Sequence, residues 1–71
     1  MMRLEGVETF VAIAERGSLS EAARILGLSR SVVSGRLAEL ERAVGARLVQ
    51  RTTRSMTLTE DGRIFLVRAH R

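Results

Sequence analysis

Near the start of the chain the apolar residues Leu4, Val7, Phe10, Val11 and Ala14 recur at spacings of three and four, which lines them along one face of a helix. Gly17 then offers the left-handed conformation that closes many helices. Ser18 and Glu21 stand at the spacing of a capping box and predict a second, shorter helix, with Ala22, Ala23 and Leu26 inside and Gly27 as its stop. Ser29 opens a third helix only two residues later. The turn Gly27-Leu28 is so short that the two helices must cross steeply, as in a helix-turn-helix unit. Along the third helix Val33, Leu37, Leu40 and Val44 form the expected buried stripe, and Gly45 ends it.

Beyond Gly45 the period changes to two. Leu48 with Gln50, then Met56 and Leu58 alternating with Ser55 and Thr57, predict two short antiparallel strands on either side of the tip RTTR. Thr59 can cap a fourth helix, whose first turn carries Glu60 and Asp61 where carboxylates suit the helix dipole. In that helix Ile64, Phe65, Leu66 and Val67 are consecutive. They point around most of its circumference, more than one small domain can cover, and the surplus predicts a partner surface and dimerisation. The fold class is mainly α with a small β-hairpin.

Charge sharpens this picture. All twelve basic residues are arginine, and with eight acidic residues the formal charge is +4. Arginine's planar fork suits phosphate and guanine edges, although a GC-rich genome also produces all-arginine usage. Position says more than the total. From Ser29 to Thr57 lie Arg30, Arg36, Arg42, Arg47, Arg51 and Arg54 against Glu39 and Glu41, each of which is expected to pair with a nearby arginine. Met1 to Leu28 carries three arginines against four glutamates.

The outer face of the third helix holds Ser31, Ser34, Gly35, Ala38 and Arg42. A helix fits the major groove only when its leading residues are short or hydrogen-bonding. Ser31, Ser34 and Gly35 are short, Arg30 can reach guanine acceptors or phosphate, and the helix start with Ser29 can face phosphate. Gly35 costs about 1 kcal/mol of helix propensity against alanine, which demands a reason. Ser29 as a mere cap on a solvated face is the competing reading. At the hairpin tip Arg51, Thr52, Thr53 and Arg54 can follow the backbone or enter a minor groove, with Arg54 the stronger candidate; a solvated basic turn is the alternative there.

Catalytic chemistry is missing from the sequence. His70 stands alone, Glu60 and Asp61 point apart, and neither a Gly-rich phosphate loop nor a metal-ligand cluster is present. The reading is therefore not an enzyme, with no cofactor and no small molecule. No cysteine is present, so disulfides and thiolate metal sites are excluded. No stretch approaches the roughly 20 apolar residues that span a bilayer, and the first residues lack the form of a leader. A soluble, cytoplasmic, nucleoid-associated protein without a membrane partner is expected.

These residues resemble the N-terminal winged helix-turn-helix domain of LysR-type transcriptional regulators. The likeness runs through LEGVETFVAIAERGSLSEAARILGLS and VVSGRLAELERAVGARLVQRTTRSMTLT to EDG. It implies a three-helix core, a two-stranded wing and the start of a C-terminal linker and dimerisation helix. The helix from Ser29 would read the major groove, the wing from Arg51 to Arg54 would touch backbone and minor groove, and Arg30, Ser31, Ser34 and Arg54 would occupy DNA-contacting positions. The family usually has glutamine, proline and arginine where this chain has Arg30, Ser31 and Gly35. An arginine contact is thus lost at Gly35, and Arg30 or Arg36 is expected to replace it.

The expected organisation is a winged domain over 1–58 and the start of the dimerisation helix over 59–71, with the effector-binding domain of such regulators absent from this chain. Expected partners are double-stranded DNA and a second copy, with higher oligomers in a full-length parent. A winged-helix module for protein association without DNA binding is the alternative function.

Overall fold

The computed structural model describes residues 4–51 and 56–69, except for the side chain of Arg51. In chain order it contains α1 (Leu4–Arg16), α2 (Leu19–Leu26), α3 (Arg30–Val44), β1 (Val49–Arg51), β2 (Met56–Leu58) and α4 (Glu60–Ala69). The architecture is mainly helical with one antiparallel hairpin, in the register Val49↔Leu58, Gln50↔Thr57 and Arg51↔Met56.

Local chemistry sets the helix ends. Ser18 Oγ accepts the Glu21 N–H at 3.1 Å, which is half of a capping box. The Glu21 carboxylate turns instead to Arg24 at 2.9 Å. Gly17, Gly27 and Gly45 close α1, α2 and α3 with φ of 70°, 70° and 81°, a region in which a β-carbon is strained. Past Gly27, Leu28 donates its N–H to the Ala23 carbonyl at 2.9 Å and leans its side chain on the core. That combination bends the chain directly from α2 into α3.

The core gathers Phe10 and Ile13 of α1, Ala22 and Ala23 of α2, Val33, Leu37 and Leu40 of α3, and Leu48 and Val49 at the hairpin. In α1 the buried face is Gly6, Thr9, Phe10 and Ile13, so the expected stripe of Leu4, Val7, Val11 and Ala14 is rotated by roughly one residue, about 100°. Leu4 is 73% exposed. The rotation follows from α3 packing closely on α1. A β-carbon added at Gly6 would already touch Leu40 Cβ at 3.4 Å, and the buried Thr9 hydroxyl is satisfied by the Glu5 carbonyl at 2.8 Å.

Three further expectations shift. Val44 is 37% exposed rather than core, because it borders an apolar groove of about 490 Å³ between α1, the end of α3 and α4. Leu26 is only half-buried. Leu48 precedes the ladder and turns inward on its own, and Val49 also faces inward, which leaves Gln50, not Val49, toward solvent.

The start of α4 is built into the same core. Thr59 Oγ1 accepts the Gly62 N–H at 2.9 Å and donates to the Arg47 carbonyl at 2.6 Å, while the Thr59 N–H reaches the Leu48 carbonyl at 3.0 Å. Gly62 is buried against that carbonyl so tightly that a β-carbon there would overlap it. One turn on, Phe65 meets Phe10 edge to face, with ring centroids 5.6 Å apart and an interplanar angle of 82°, a favoured aromatic geometry.

Candidate nucleic-acid interface

Among the described residues, the leading turn of α3 presents an exposed outer side. Ser29 caps it in extended conformation (φ −76°, ψ 159°), and its Oγ accepts the Val32 N–H at 3.2 Å. Behind this turn Val33 and Leu37 are fully buried. In front of it Arg30, Ser31 and Gly35 are exposed, while Ser34 and Arg36 are half-buried at its flanks. Residues 31 and 35 share the outward side through their i, i+4 spacing, and Arg30 is exposed at the first position of the helix beside them. The result is a short, polar, low-relief end on a helix whose other side is anchored in the core.

Among the described residues, the arginines of this face are not paired with carboxylates. Among the described residues the ion pair is Arg24–Glu21, in the helix before the turn. There the Arg24 hydrogen bond, and next its charge, hold the Glu21 carboxyl below its ordinary range. Arg30, Arg36, Arg42 and Arg47 form no ion pair among the described residues, where the expected Glu39 and Glu41 pairs with arginine are not found. The positive field of this half of the chain is therefore directed outward.

Glu41 has a different task. Its Oε2 accepts the N–H groups of Leu48 and Val49 at 2.7 and 3.2 Å, which ties α3 to the first strand of the hairpin. A carboxylate in the last turn of a helix opposes the helix dipole. That misplaced charge is the sequence signal that points to a compensating donor pair. The consequence is positional: α3 is tied to the first strand, and the base of the hairpin sits at the end of α3.

Arg51 closes the ladder opposite Met56 with its backbone; its side chain, together with Thr52, Thr53 and Arg54, lies outside the described residues. In α4 the four apolar residues divide. Phe65 and Leu66 are half-buried and lean on the chain's own core, Phe65 against the Phe10 ring. Ile64 and Val67 face outward, 49% and 63% exposed. No described helix is long and apolar enough to cross a membrane.

Comparison with known proteins follows the same lines. Residues 4–63 match the family model of bacterial regulatory helix-turn-helix proteins of the lysR family. An HTH-type transcriptional repressor of Pseudomonas aeruginosa is 43% identical over 65 residues, covering 92% of this chain and 20% of the relative. The HTH-type transcriptional regulator PtxR of the same species is 44% identical over 70 residues, covering 99% and 22%. The chain thus spans about a fifth of the length of these curated relatives. Among solved structures, the CbnR DBD–DNA complex superposes with a TM-score of 0.94 at 32% identity, covering 97% of this chain and 79% of that one. The BenM DBD with catB site 1 DNA superposes at 0.92 and 30% identity, covering 97% and 77%.

Proposed function

Because the chain belongs to the lysR family of bacterial regulatory helix-turn-helix proteins, we propose that it binds double-stranded DNA sequence-specifically as the DNA-binding domain of a bacterial transcription regulator. The observation that carries this reading is the uncovered leading turn of α3. Its exposed residues Arg30, Ser31 and Gly35 are small or hydrogen-bonding, and the buried Val33 and Leu37 hold it rigid from behind. Such an end fits the major groove, where base edges present their donors and acceptors. Ser29, Ser34 and Arg36 flank it and supply phosphate contacts, which set register on the duplex.

Arg51 ends the strand that Glu41 holds and, with Thr52, Thr53 and Arg54, which follow it in sequence, serves as a contact to backbone and minor groove. The relatives named as regulators, and the neighbours solved with DNA, support this use over a module for protein association alone. Their names as regulators support a non-enzymatic role; action without a cofactor, in the cytoplasm at the bacterial nucleoid, is part of the proposal.

Dimerisation through Ile64 and Val67 of α4 completes the reading, with half-sites about one helical turn of DNA or a multiple apart. Residues 1–58 serve as the reading unit and residues 59–71 as the start of the dimerisation helix. That boundary divides roles, not packing, since Thr59, Gly62 and Phe65 belong to the same core.

The test is selection of duplexes from a randomised pool by the chain. Enrichment of one motif, lost for the exposed-face variant Ser31→Leu, is expected. A pool that stays random through successive rounds contradicts the proposal.

A further inference from the structure

Five of the six glycines have a reason within the chain. Gly17, Gly27 and Gly45 take positive φ, Gly6 lies against Leu40, and Gly62 lies against the Leu48 carbonyl. Gly35 has neither reason. Its φ is not positive, and a β-carbon built on it meets no heavy atom within 4 Å. Glycine inside a helix is less stable than alanine, so the fold itself is better served by alanine at this position. The reason for the missing side chain lies outside the chain.

A second residue on the same turn is also unexplained by packing. Val32 is 42% exposed, although it sits between the exposed Ser31 and the fully buried Val33. Residues three apart on a helix are surface neighbours. Val32 therefore raises an apolar wall beside the bare backbone of Gly35, with Ser31 one turn before Gly35 on the outward side. Val32 and Gly35 thus place an exposed apolar side chain next to a position without one, on the end of α3 assigned above to the major groove. In that groove the one apolar group offered by a base edge is the C5-methyl of thymine.

We propose that Val32 and Gly35 form a notch that receives one thymine methyl, Val32 packing against it and Gly35 leaving the room for it. The specificity of the chain at that base pair then comes from an apolar contact, with Arg30 supplying the hydrogen-bonding readout beside it. This inference rests on the DNA-binding reading and adds to it a base identity and the residues that select it.

The experiment uses the chain and its selected duplex, in which thymines are replaced one at a time by deoxyuridine, a base that differs only in lacking the methyl group. One replacement is expected to weaken wild-type binding about fourfold, the worth of one buried methyl. Val32→Ala is expected to bind the two duplexes alike. Gly35→Ala is expected to raise the Tm by roughly 4–8 °C yet to bind the thymine duplex about tenfold more weakly. Deoxyuridine at the same position restores most of that loss, because the missing methyl makes room for the new β-carbon.

The inference is overturned if no single replacement changes wild-type affinity while duplex binding persists, or if both variants keep the wild-type preference for thymine. A Tm lowered by Gly35→Ala also overturns it, since the fold would then need the glycine. Absence of any duplex binding by the wild-type chain removes the DNA-binding reading itself, and this inference with it.

Discussion

The Glu41 carboxylate and the Leu48 backbone N–H meet at 2.7 Å across the end of α3, and the same oxygen takes the Val49 N–H at 3.2 Å. Leu48 is thereby held on three sides. Its N–H is bound by Glu41, its carbonyl accepts from Thr59, and its side chain is fully buried. One residue thus joins α3, the hairpin and the start of α4.

Removing the carboxylate leaves two partly buried N–H groups without a partner. Glu41→Ala is expected to cost about 2–3 kcal/mol, since hydrogen bonds to charged groups exceed neutral ones, and to lower the Tm by roughly 10 °C or more in a domain of this size. Glu41→Gln, which keeps one acceptor, loses less. Thermal unfolding followed by circular dichroism checks both, and a Glu41→Ala variant as stable as wild type would show that the hairpin is held by its apolar contacts alone.

Gly62 tests how firmly α4 is seated. Alanine there drives a β-carbon into the Leu48 carbonyl, which is backbone and moves only with the hairpin. About 3 kcal/mol or more of destabilisation is expected, at or beyond the upper end of ordinary overpacking. Urea unfolding of Gly62→Ala measures it; an unchanged midpoint would contradict the seating described.

The two sides of α4 separate stability from association. Phe65→Ala removes the edge-to-face partner of Phe10 and is expected to cost about 2–4 kcal/mol. Ile64→Ser alters an outward residue and is expected to leave stability within about 0.5 kcal/mol while weakening self-association. Sedimentation beside thermal unfolding distinguishes them. If Ile64→Ser left the association constant unchanged, the outward face of α4 would not be the dimer contact.

One titration follows from the Glu21–Arg24 pair. The Arg24 hydrogen bond and charge depress the folded-state pKa of Glu21. The pair therefore stabilises above the unfolded-state range and ceases to do so as pH falls through the folded-state value. Both side chains are largely exposed, 68% for Arg24 and 48% for Glu21, so salt screens the effect. Glu21→Gln is expected to lower the Tm slightly at about pH 6 and not at about pH 2. An equal difference at both would place the effect elsewhere.

What could be read from the residues divides by range. Caps and turns were legible because Ser18, Ser29, Gly27 and Gly45 act on neighbours three or four residues away. The outward face of α3 was legible for the same reason. The buried face of α1 was not, since Gly6 and Thr9 do not register as apolar in a periodic pattern. Their burial depends on how closely α3 approaches. Glu41 and Gly62 escaped as well. Their partners lie seven and fourteen positions away at Leu48, a separation that only the folded chain closes. Phe65 and Leu66 read as surplus because the space beside Phe10 could not be foreseen.

The central claim is that the leading turn of α3 and the arginine-bearing hairpin together grip a DNA duplex. The most direct measurement is the affinity of the chain for its selected duplex over a series of salt concentrations. A linear fall of log K with log salt is predicted, with a slope of about −0.9 for every phosphate neutralised and hence roughly −4 for four arginine contacts. A flat dependence, or the same slope after Arg30 and Arg54 are both replaced by alanine, would contradict it.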